Sequence, residues 1–177
     1  SRPKVMELIN KLQIEGLNKK QKIFYYCIKY INNERKTDME LTQAIKERRS
    51  IRKFQDKKVP HEVLEEIVNV AAFAPSWKNT QITRYTIVED EAVKAKIADE
   101  CVLDFVYNAK TIKRAPHLVV VTAVLGRSGF EKDGSYTTPK EDRWQNFDTG
   151  IATQTFCLAA ADKGIGTVIL GIFDDDK

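Results

Sequence analysis

The sequence is poor in the residues that build metal sites and disulfide scaffolds. It contains three cysteines and two histidines among 177 residues, and no two cysteines form a CxxC pair. Zinc clusters need several such ligands at short spacing, and disulfide scaffolds need paired cysteines. We therefore expect no metal and no disulfide. A chain of this length buries roughly 70% of its unfolded surface, so it needs neither to hold a core.

Several signatures of catalysis and membrane insertion are also missing. There is no GxxxxGK[ST] stretch, as in P-loop proteins, and no GxSxG sequence, as in serine hydrolases. No apolar run approaches the roughly 18 residues that a bilayer span requires, and the first residues contain no uninterrupted apolar signal segment. We expect a soluble, cytoplasmic protein with no membrane partner.

Positive charge is concentrated in the first 38 residues. These hold nine Lys or Arg against four Asp or Glu, a net charge of +5, whereas the remainder carries −1. The main body therefore shows no excess of charge for binding nucleic acid. A tether at Lys19, Lys20 and Lys22 to nucleic acid or an anionic membrane is an open alternative, but such a run is usually a solvated face.

The apolar pattern divides the chain near residue 38. Apolar residues make up 42% of the sequence, which suits a folded domain. Helical spacing over residues 5–15 and again over 23–31 predicts two short helices. We interpret residues 1–38 as an N-terminal helical extension and residues 39–177 as the main domain.

The main domain alternates helical and strand patterns. Helices are predicted at 38–45, 60–74, 91–100, 101–114 and 143–163, and strands at 84–88, 118–125 and 167–172. This order indicates the α+β class, with helices around a modest sheet. The polar stretch 126–142 has the length of a lid or a binding loop.

A basic cluster ends the first helix of this domain. The sequence ERRSIRKF places Arg48, Arg49, Ser50 and Arg52 within five positions. Guanidinium groups offer forked donors that suit phosphate oxygens, and the serine hydroxyl adds another donor. The alternative is a solvated basic terminus that complements the helix dipole.

A second candidate segment lies about twenty residues further on. The sequence APSWKNTQ combines the amide and hydroxyl groups of Ser76, Asn79 and Gln81 with the aromatic ring of Trp77. A planar heterocycle needs this mixture, because its face packs on an aromatic surface and its edges need polar partners. An ordinary Pro/Ser/Asn turn is the alternative.

The glycines near the end of the sequence do not form a dinucleotide fingerprint. In KGIGTVILGIF, Gly164 and Gly166 precede a predicted strand, whereas the GxGxxG motif opens a helix. Gly171 at the end of that strand would let backbone amides approach a ligand closely, or would mark a bulge, and both interpretations stay open.

Three further polar features are interpreted as structural. We expect His117 to be a hydrogen-bonded residue at the start of a buried strand and Cys157 to pack in the core. The acidic run at residues 174–176 has no partner pattern for a metal and is interpreted as solvated.

In combination, three ordered blocks resemble the FMN-dependent nitroreductase family. They are ERRSIRKF, APSWKNTQ and FDTGIATQTFCLAAADKGIGTVILGIFD, and the resemblance extends over residues 39–177. It implies a nitroreductase-like α+β fold, with a central, mostly antiparallel sheet flanked by helices. It also implies a homodimer that builds its sites between subunits.

The resemblance assigns cofactor-binding roles to three segments. The arginine segment would bind the phosphate, ribityl chain and pyrimidine edge of FMN from one subunit, and it comprises Arg48, Arg49, Ser50 and Arg52. The tryptophan loop would reach the same flavin from the other subunit, and it comprises Pro75, Ser76, Trp77 and Asn79. The strand end would lie against the isoalloxazine with a backbone N–H near N5, and it comprises Leu170, Gly171 and Ile172.

The implied activity is a ping-pong oxidoreduction. NADH or NADPH would pass hydride to flavin N5, and a nitroaromatic or quinone-type acceptor would then take two electrons. The flavin carries this chemistry, so no catalytic side chain is expected. A non-catalytic, flavin-binding family member is the alternative, because relatives usually continue beyond the equivalent of Asp174 with a further strand and an arm across the dimer.

Overall fold

The structure, a computed structural model, describes residues 21–30, 40–174 and 176. In chain order the elements are β1 (Gln21–Tyr30), α1 (Leu41–Glu47), α2 (His61–Ala71), a 3-10 turn (Trp77–Asn79), β2 (Thr83–Val88), α3 (Glu91–Glu100), α4 (Val106–Arg114), β3 (His117–Val124), α5 (Arg143–Asp162) and β4 (Ile165–Leu170). The elements predicted between residues 38 and 172 are thereby confirmed in type.

The strands form one four-stranded sheet in the order β2-β3-β1-β4. All three pairings are antiparallel, and Val121 of β3 pairs with Tyr85 on one side and Phe24 on the other. The β-branched run of β3 is buried along nearly its whole length, as expected for an inner strand covered on both faces. The predicted α+β class and antiparallel sheet are confirmed.

The prediction of a helix over residues 23–31 is wrong. Gln21–Tyr30 is a strand that hydrogen-bonds to β3 on one side and β4 on the other. Its sequence, QKIFYYCIKY, is rich in aromatic and β-branched residues, which favour a strand. Hydrogen bonding to two neighbouring strands stabilises this conformation more than the helical spacing of the apolar residues would stabilise a helix. The helix predicted at residues 5–15, the basic residues Lys19 and Lys20, and Asp175 lie outside the described residues.

Helices cover both faces of the sheet. On one face, Val119 and Val121 of β3 pack with Ile67 of α2 and Phe156 of α5. On the other face, Leu118 and Val120 of β3 pack with Ile112 of α4 and with the segment around Val102. The period-two alternation of a strand thus separates two apolar clusters, and the sheet holds α2 and α5 together on one side.

The helix ends are set by local chemistry. The Asp90 carboxylate accepts the backbone N–H groups of Ala92 and Val93 and caps α3. Gly164 has a φ of +70°, the left-handed conformation that ends α5 and lets the chain turn directly into β4. None of the helices in the described ranges is long and apolar enough to cross a bilayer.

Residues 126–142 form an ordered, hydrogen-bonded loop. A bridge joins Phe130 to Tyr136, and the Thr137 N–H donates to the Gly129 carbonyl at 2.9 Å. At its far end the Trp144 indole N–H donates to the Thr138 hydroxyl at 3.0 Å. Opening of this loop as a lid stays a prediction.

Gly129 and Gly134 of this loop provide a matched pair of substitutions. Both have a positive φ, +87° at Gly129 and +85° at Gly134. Their surroundings differ, because a Cβ on Gly129 would lie 2.3 Å from the Glu141 carbonyl oxygen, whereas a Cβ on Gly134 would face open space. We expect Gly134→Ala to cost about 1 kcal/mol of unfolding free energy and Gly129→Ala about 1–3 kcal/mol more. Urea unfolding measures both, and equal losses would contradict the close contact.

His117 is fully buried at the start of β3. Its Nε2 accepts the backbone N–H of Val59 at 2.9 Å, so the predicted structural role is confirmed. Burial lowers the pKa of His117; the Glu89 carboxylate, 3.7 Å from Nδ1, opposes this shift, and Lys58 and Lys94 add to it. The folded protein therefore favours the neutral form of the His117 imidazole.

This burial makes stability depend on pH. Between the lowered folded pKa and the unfolded value of about 6.5, the unfolded chain binds a proton that the folded chain does not. Stability from this group is therefore present above about pH 6.5 and is lost as the pH falls below it. His117→Gln, whose side-chain oxygen can reach the position of Nε2 and accept the Val59 N–H, should lose less stability between pH 7 and pH 5, by up to about 1.4 kcal/mol per unit of pKa shift. Denaturant titrations at both pH values test this, and an unchanged slope in His117→Gln would contradict it.

Candidate functional site

The arginine segment leaves α1 and runs beside β4. Ser50 forms a parallel bridge with Thr167, and the Ile51 N–H donates to the Thr167 carbonyl at 3.0 Å. Arg48 is half-buried, whereas Arg49 and Arg52 are exposed. Within the described part of the chain, none of these three guanidinium groups forms an ion pair with a carboxylate. The segment is therefore a cationic surface without internal neutralisation.

The strand end lies a few residues along β4 from Thr167, where the arginine segment pairs with the strand. Leu170 is buried, and Gly171 and Ile172 are exposed where the strand stops. The side-chain amide of Asn108 donates to the Ile172 carbonyl at 2.9 Å, and the Asp174 N–H donates to the Cys101 carbonyl at 2.8 Å. The α3–α4 region thus fixes the backbone at the strand end.

The tryptophan loop is anchored by a buried carboxylate on α5. Asp148 is only 2% exposed, and its two oxygens accept the Trp77 backbone N–H at 3.1 and 3.0 Å. The Ser128 hydroxyl donates to the same carboxylate at 2.6 Å. Ser76 accepts the Gln81 N–H at 2.8 Å, so this hydroxyl holds the loop closed on itself.

The backbone of the tryptophan loop is strained. Lys78, Asn79 and Gln81 have φ values of 43°, 55° and 46°, which place three non-glycine residues in the left-handed region. Each such residue costs about 1–2 kcal/mol, and strain of this kind concentrates where a backbone shape is needed for function. The Lys78–Glu131 ion pair at 2.8 Å ties the loop to residues 126–142 and lowers the pKa of Glu131.

Trp77 packs within its own chain. Its ring lies 4.4 Å from that of Trp144, centroid to centroid. Its indole N–H is buried and has no partner among the described residues. The ring is thus only half-exposed, and the open part of the loop is formed by Pro75, Asn79 and Gln81.

One chain brings together two of the three predicted segments. The arginine segment and the strand end share β4, and Arg48 is close enough to α5 that its charge opposes the raised pKa that burial gives the Cys157 thiol. The tryptophan loop is held at Asp148, about 13 Å further along α5 at about 1.5 Å per residue. Within the described residues, no hydrogen bond or ion pair joins it to the arginine segment.

The outer face of α5 lies between these two anchor points and is open. A shallow groove is lined by Phe147, Gly150, Ile151 and Gln154, and the Phe147 side chain is 58% exposed. α1 packs beside α5 and adds Leu41, which is 67% exposed. An exposed apolar groove of this kind is characteristic of an interaction surface.

Two residues that position the site escaped the sequence interpretation. Asp148 lies within a helical stretch of small residues, and Asn108 lies in a segment with a weak pattern. Both side chains are buried polar groups with backbone partners, as buried polar groups require. An acidic residue on the buried face of α5 is the signal that the sequence offered for Asp148. Cys157 packs in the core, as predicted.

The chain is similar to proteins of one family. The protein-family model described as "Nitroreductase family" matches residues 45–108 and 103–177. A Methanothermobacter thermautotrophicus protein, provisionally named NADH dehydrogenase/NAD(P)H nitroreductase, is 32% identical over 135 residues, covering 76% of this chain and 62% of its own length. An iodotyrosine deiodinase from Thermotoga neapolitana is 31% identical over 148 residues, covering 72% of each.

Solved structures show the same fold. A nitroreductase family protein from Clostridium novyi NT superposes with a TM-score of 0.65 at 29% identity, over 77% of this chain and 73% of that one. A provisionally named nitroreductase from Desulfovibrio desulfuricans, solved in complex with FMN, gives a TM-score of 0.59 at 25% identity, over 77% and 70%. Because the family model matches well over half of the sequence, the chain belongs to the nitroreductase family.

Proposed function

We propose that this protein is an FMN-dependent oxidoreductase that takes hydride from NADH or NADPH and passes two electrons to a nitroaromatic or quinone-type acceptor. One observation carries the proposal. An unneutralised arginine segment runs beside β4 directly upstream of the fixed strand end, in a chain of the nitroreductase family. Residues 39–177 would supply the FMN contacts, on a sheet that also contains residues 21–30.

The residues present suit FMN. Arg49, Ser50 and Arg52 offer exposed donors for phosphate oxygens, and unpaired guanidinium groups bind such oxygens in forked geometry. Gly171 lacks a side chain and a Cβ there would meet nothing within 4 Å, so a flat ring can approach the backbone at the strand end. Phosphate and ring would thus be held from one continuous stretch of the sheet edge.

We propose that the tryptophan loop comes from a second subunit. The exposed apolar face of α5 and α1 lies between the arginine segment and the tryptophan loop of one chain. A copy packed on this face about a twofold axis would bring its own loop toward the arginine segment across the interface. Each homodimer would then hold two shared sites.

The protein groups bind and orient, and the flavin supplies the redox chemistry. When bound, FMN would supply the two-electron chemistry between a nicotinamide and an acceptor. Arg49 and Arg52 would hold the phosphate, Asn108 would keep the Ile172 carbonyl turned inward and the neighbouring backbone fixed, and Asp148 would keep the tryptophan loop in its strained shape. Donors around the pyrimidine edge would favour negative charge on the ring.

The absorption spectrum of the purified full chain tests this function directly. We expect a yellow protein, or one that becomes yellow with added FMN, and bleaching of the flavin band by NADH or NADPH without oxygen. A protein that binds no FMN would contradict the proposal. Yellow protein that neither nicotinamide bleaches would support the non-catalytic alternative.

A second candidate is reductive removal of iodide from an iodophenol. It is favoured by the similarity to an iodotyrosine deiodinase, which covers 72% of this chain. The same flavin site would serve both activities, with the acceptor as the only difference. Iodide release from 3-iodotyrosine by the dithionite-reduced protein, compared with reduction of a nitroaromatic, distinguishes the two.

A further inference from the structure

A cavity of about 240 Å³ lies behind the tryptophan loop. It is enclosed by the end of α2, the loop itself, the first residues of β2 and the middle of α5. Most of its wall is apolar, formed by Val68, Ala71, Ala152 and the ring of Tyr85. Drug-sized ligands occupy roughly 300–1,000 Å³, so this cavity suits a smaller molecule.

Two guanidinium groups line the cavity. Arg84 is held in place because its Nη1 donates to the carbonyls of Gln81 at 2.7 Å and Thr83 at 2.9 Å. Burial, and then the nearby positive charge of Arg127, lowers the pKa of Arg84, so the two side chains repel each other. Neither forms an ion pair with a carboxylate in the described part of the chain.

The other polar groups of the wall compensate this positive charge only in part. Asp148 is the only acidic residue among those that line the cavity, and both its oxygens already accept hydrogen bonds from Trp77 and Ser128. The Thr80 hydroxyl is buried and has no partner among the described residues. Two like charges are thus held together beside an unused hydroxyl, an arrangement that an anion would stabilise.

We propose that this cavity binds a small carboxylate, whose acid group lies between Arg84 and Arg127 and whose apolar body packs on Ala71 and Ala152. This site is separate from the proposed flavin contacts of the arginine segment and the strand end. It adjoins the tryptophan loop, because Pro75 and Ser76 also form part of its wall. No role of FMN is assumed.

Both charge and shape favour a carboxylate. A carboxylate has two oxygens, which match the forked donors of a guanidinium group, and it carries an organic body that can fill an apolar wall. Inorganic phosphate has no organic body and leaves the apolar surface uncovered. The preferred ligand is therefore a monoacid with a short apolar chain or a single ring.

Benzoate and benzamide form a matched pair of probes, since they share a ring and differ in charge. Their binding to the purified full chain is measured by nuclear magnetic resonance, with and without added FMN, so that failure of the flavin proposal does not affect the result. We expect benzoate to shift signals of residues that line the cavity and to bind about tenfold or more tightly than benzamide.

Variants locate the acid group. Arg127→Gln removes an exposed guanidinium that makes no hydrogen bond in the described part of the chain, and it should weaken benzoate binding about tenfold or more. Thr80→Val tests the hydroxyl with little change of shape. At Arg84 we choose Arg84→Lys, which keeps the positive charge, because this side chain also donates hydrogen bonds to the carbonyls of Gln81 and Thr83. Arg114→Gln, at the exposed end of α4, is the control and should bind benzoate as the unchanged protein does.

Three results would overturn the proposal. One is equal binding of benzoate and benzamide, and another is unchanged benzoate affinity in Arg127→Gln. The third is displacement of benzoate by inorganic phosphate at equal concentration, which would show a site that recognises charge alone. Shifts confined to the cavity and lost in Arg127→Gln but kept in Arg114→Gln would establish the site.

Discussion

Mixing two defective variants of this chain should restore FMN binding that neither shows alone. The first is Arg49→Gln/Arg52→Gln, which removes charge from the arginine segment. Each charged hydrogen bond contributes about 1.5–3 kcal/mol, so FMN affinity should fall about 100-fold or more. The second is Asn79→Asp, which replaces an amide donor of the tryptophan loop by a negative charge and should weaken FMN binding about tenfold or more.

The restoration follows from the separation of the two segments along α5. If each site takes its arginine segment from one subunit and its tryptophan loop from the other, a mixed dimer has one site with both segments intact. The second site of that dimer carries both changes. Random pairing gives mixed dimers in about half of the population, so about one quarter of all sites should recover the original affinity.

The measurement is FMN fluorescence quenching at a concentration that neither variant binds alone, after co-expression with two different tags. Asp is chosen at position 79 because, like Asn, it tolerates the left-handed φ of 55° found there. Co-expression of Asn79→Asp with itself under both tags is the control. Absence of restored binding in purified mixed dimers would show that each chain builds its own site and would sink the shared arrangement.

The elements of the main domain were predictable because their signals are local. The β-branched run of β3 and the apolar spacing of α2 and α5 describe one strand and two helices without knowledge of their partners. Turn chemistry was direct at Gly164, which ends α5 as predicted, whereas α2 ends at Ala71, about one turn before the predicted end at Pro75.

β1 was not predictable in the same way. Its apolar residues satisfy a helical spacing about as well as a strand, and what decides is the presence of open edges on β3 and β4. Such pairing is a property of the assembled sheet and is absent from any window of sequence. Interpretation of residues 1–38 as a separate extension relied on that local pattern, whereas residues 21–30 belong to the sheet.

In the candidate site too, local residue types were predictable and long-range contacts were not. Residue types in ERRSIRKF and APSWKNTQ indicated donors for a phosphate and a ring, and the structure shows that the first segment lies beside the strand end. The anchors of those segments, Asp148 and Asn108, came into view only with the fold. Each reaches across more than sixty residues of sequence, a relation that single-sequence patterns do not contain.

Asp148→Ala should be among the most destabilising single substitutions in the described part of the chain. The change removes a buried acceptor and leaves two donors, the Trp77 N–H and the Ser128 hydroxyl, without their partner. An orphaned buried polar group costs about 1–3 kcal/mol, so we expect a loss of about 2–4 kcal/mol in the free energy of unfolding. Asp148→Asn keeps the shape and one acceptor and should lose less.

The substitution also reaches the proposed site. Without its anchor, the tryptophan loop no longer compensates the cost of three left-handed residues, so it should relax away from the shape that Asn79 needs. FMN affinity in Asp148→Asn should therefore fall even where the variant is fully folded. Crystal structures or loop chemical shifts of Asp148→Asn would report the relaxation independently of flavin.

A double-mutant cycle separates the anchoring role from general destabilisation. Ser128→Ala removes one of the two donors, so the loss caused by Asp148→Ala should shrink in the Ser128→Ala background by at least about 0.5 kcal/mol. Asp99→Ala removes an exposed carboxylate that pairs with Lys113, and this control should cost less than about 1 kcal/mol. Additive losses for positions 128 and 148 would contradict the Ser128–Asp148 hydrogen bond. A loss at Asp148 no larger than at Asp99 would show that the carboxylate does not hold the tryptophan loop, and the structural basis assigned to that loop would fail with it.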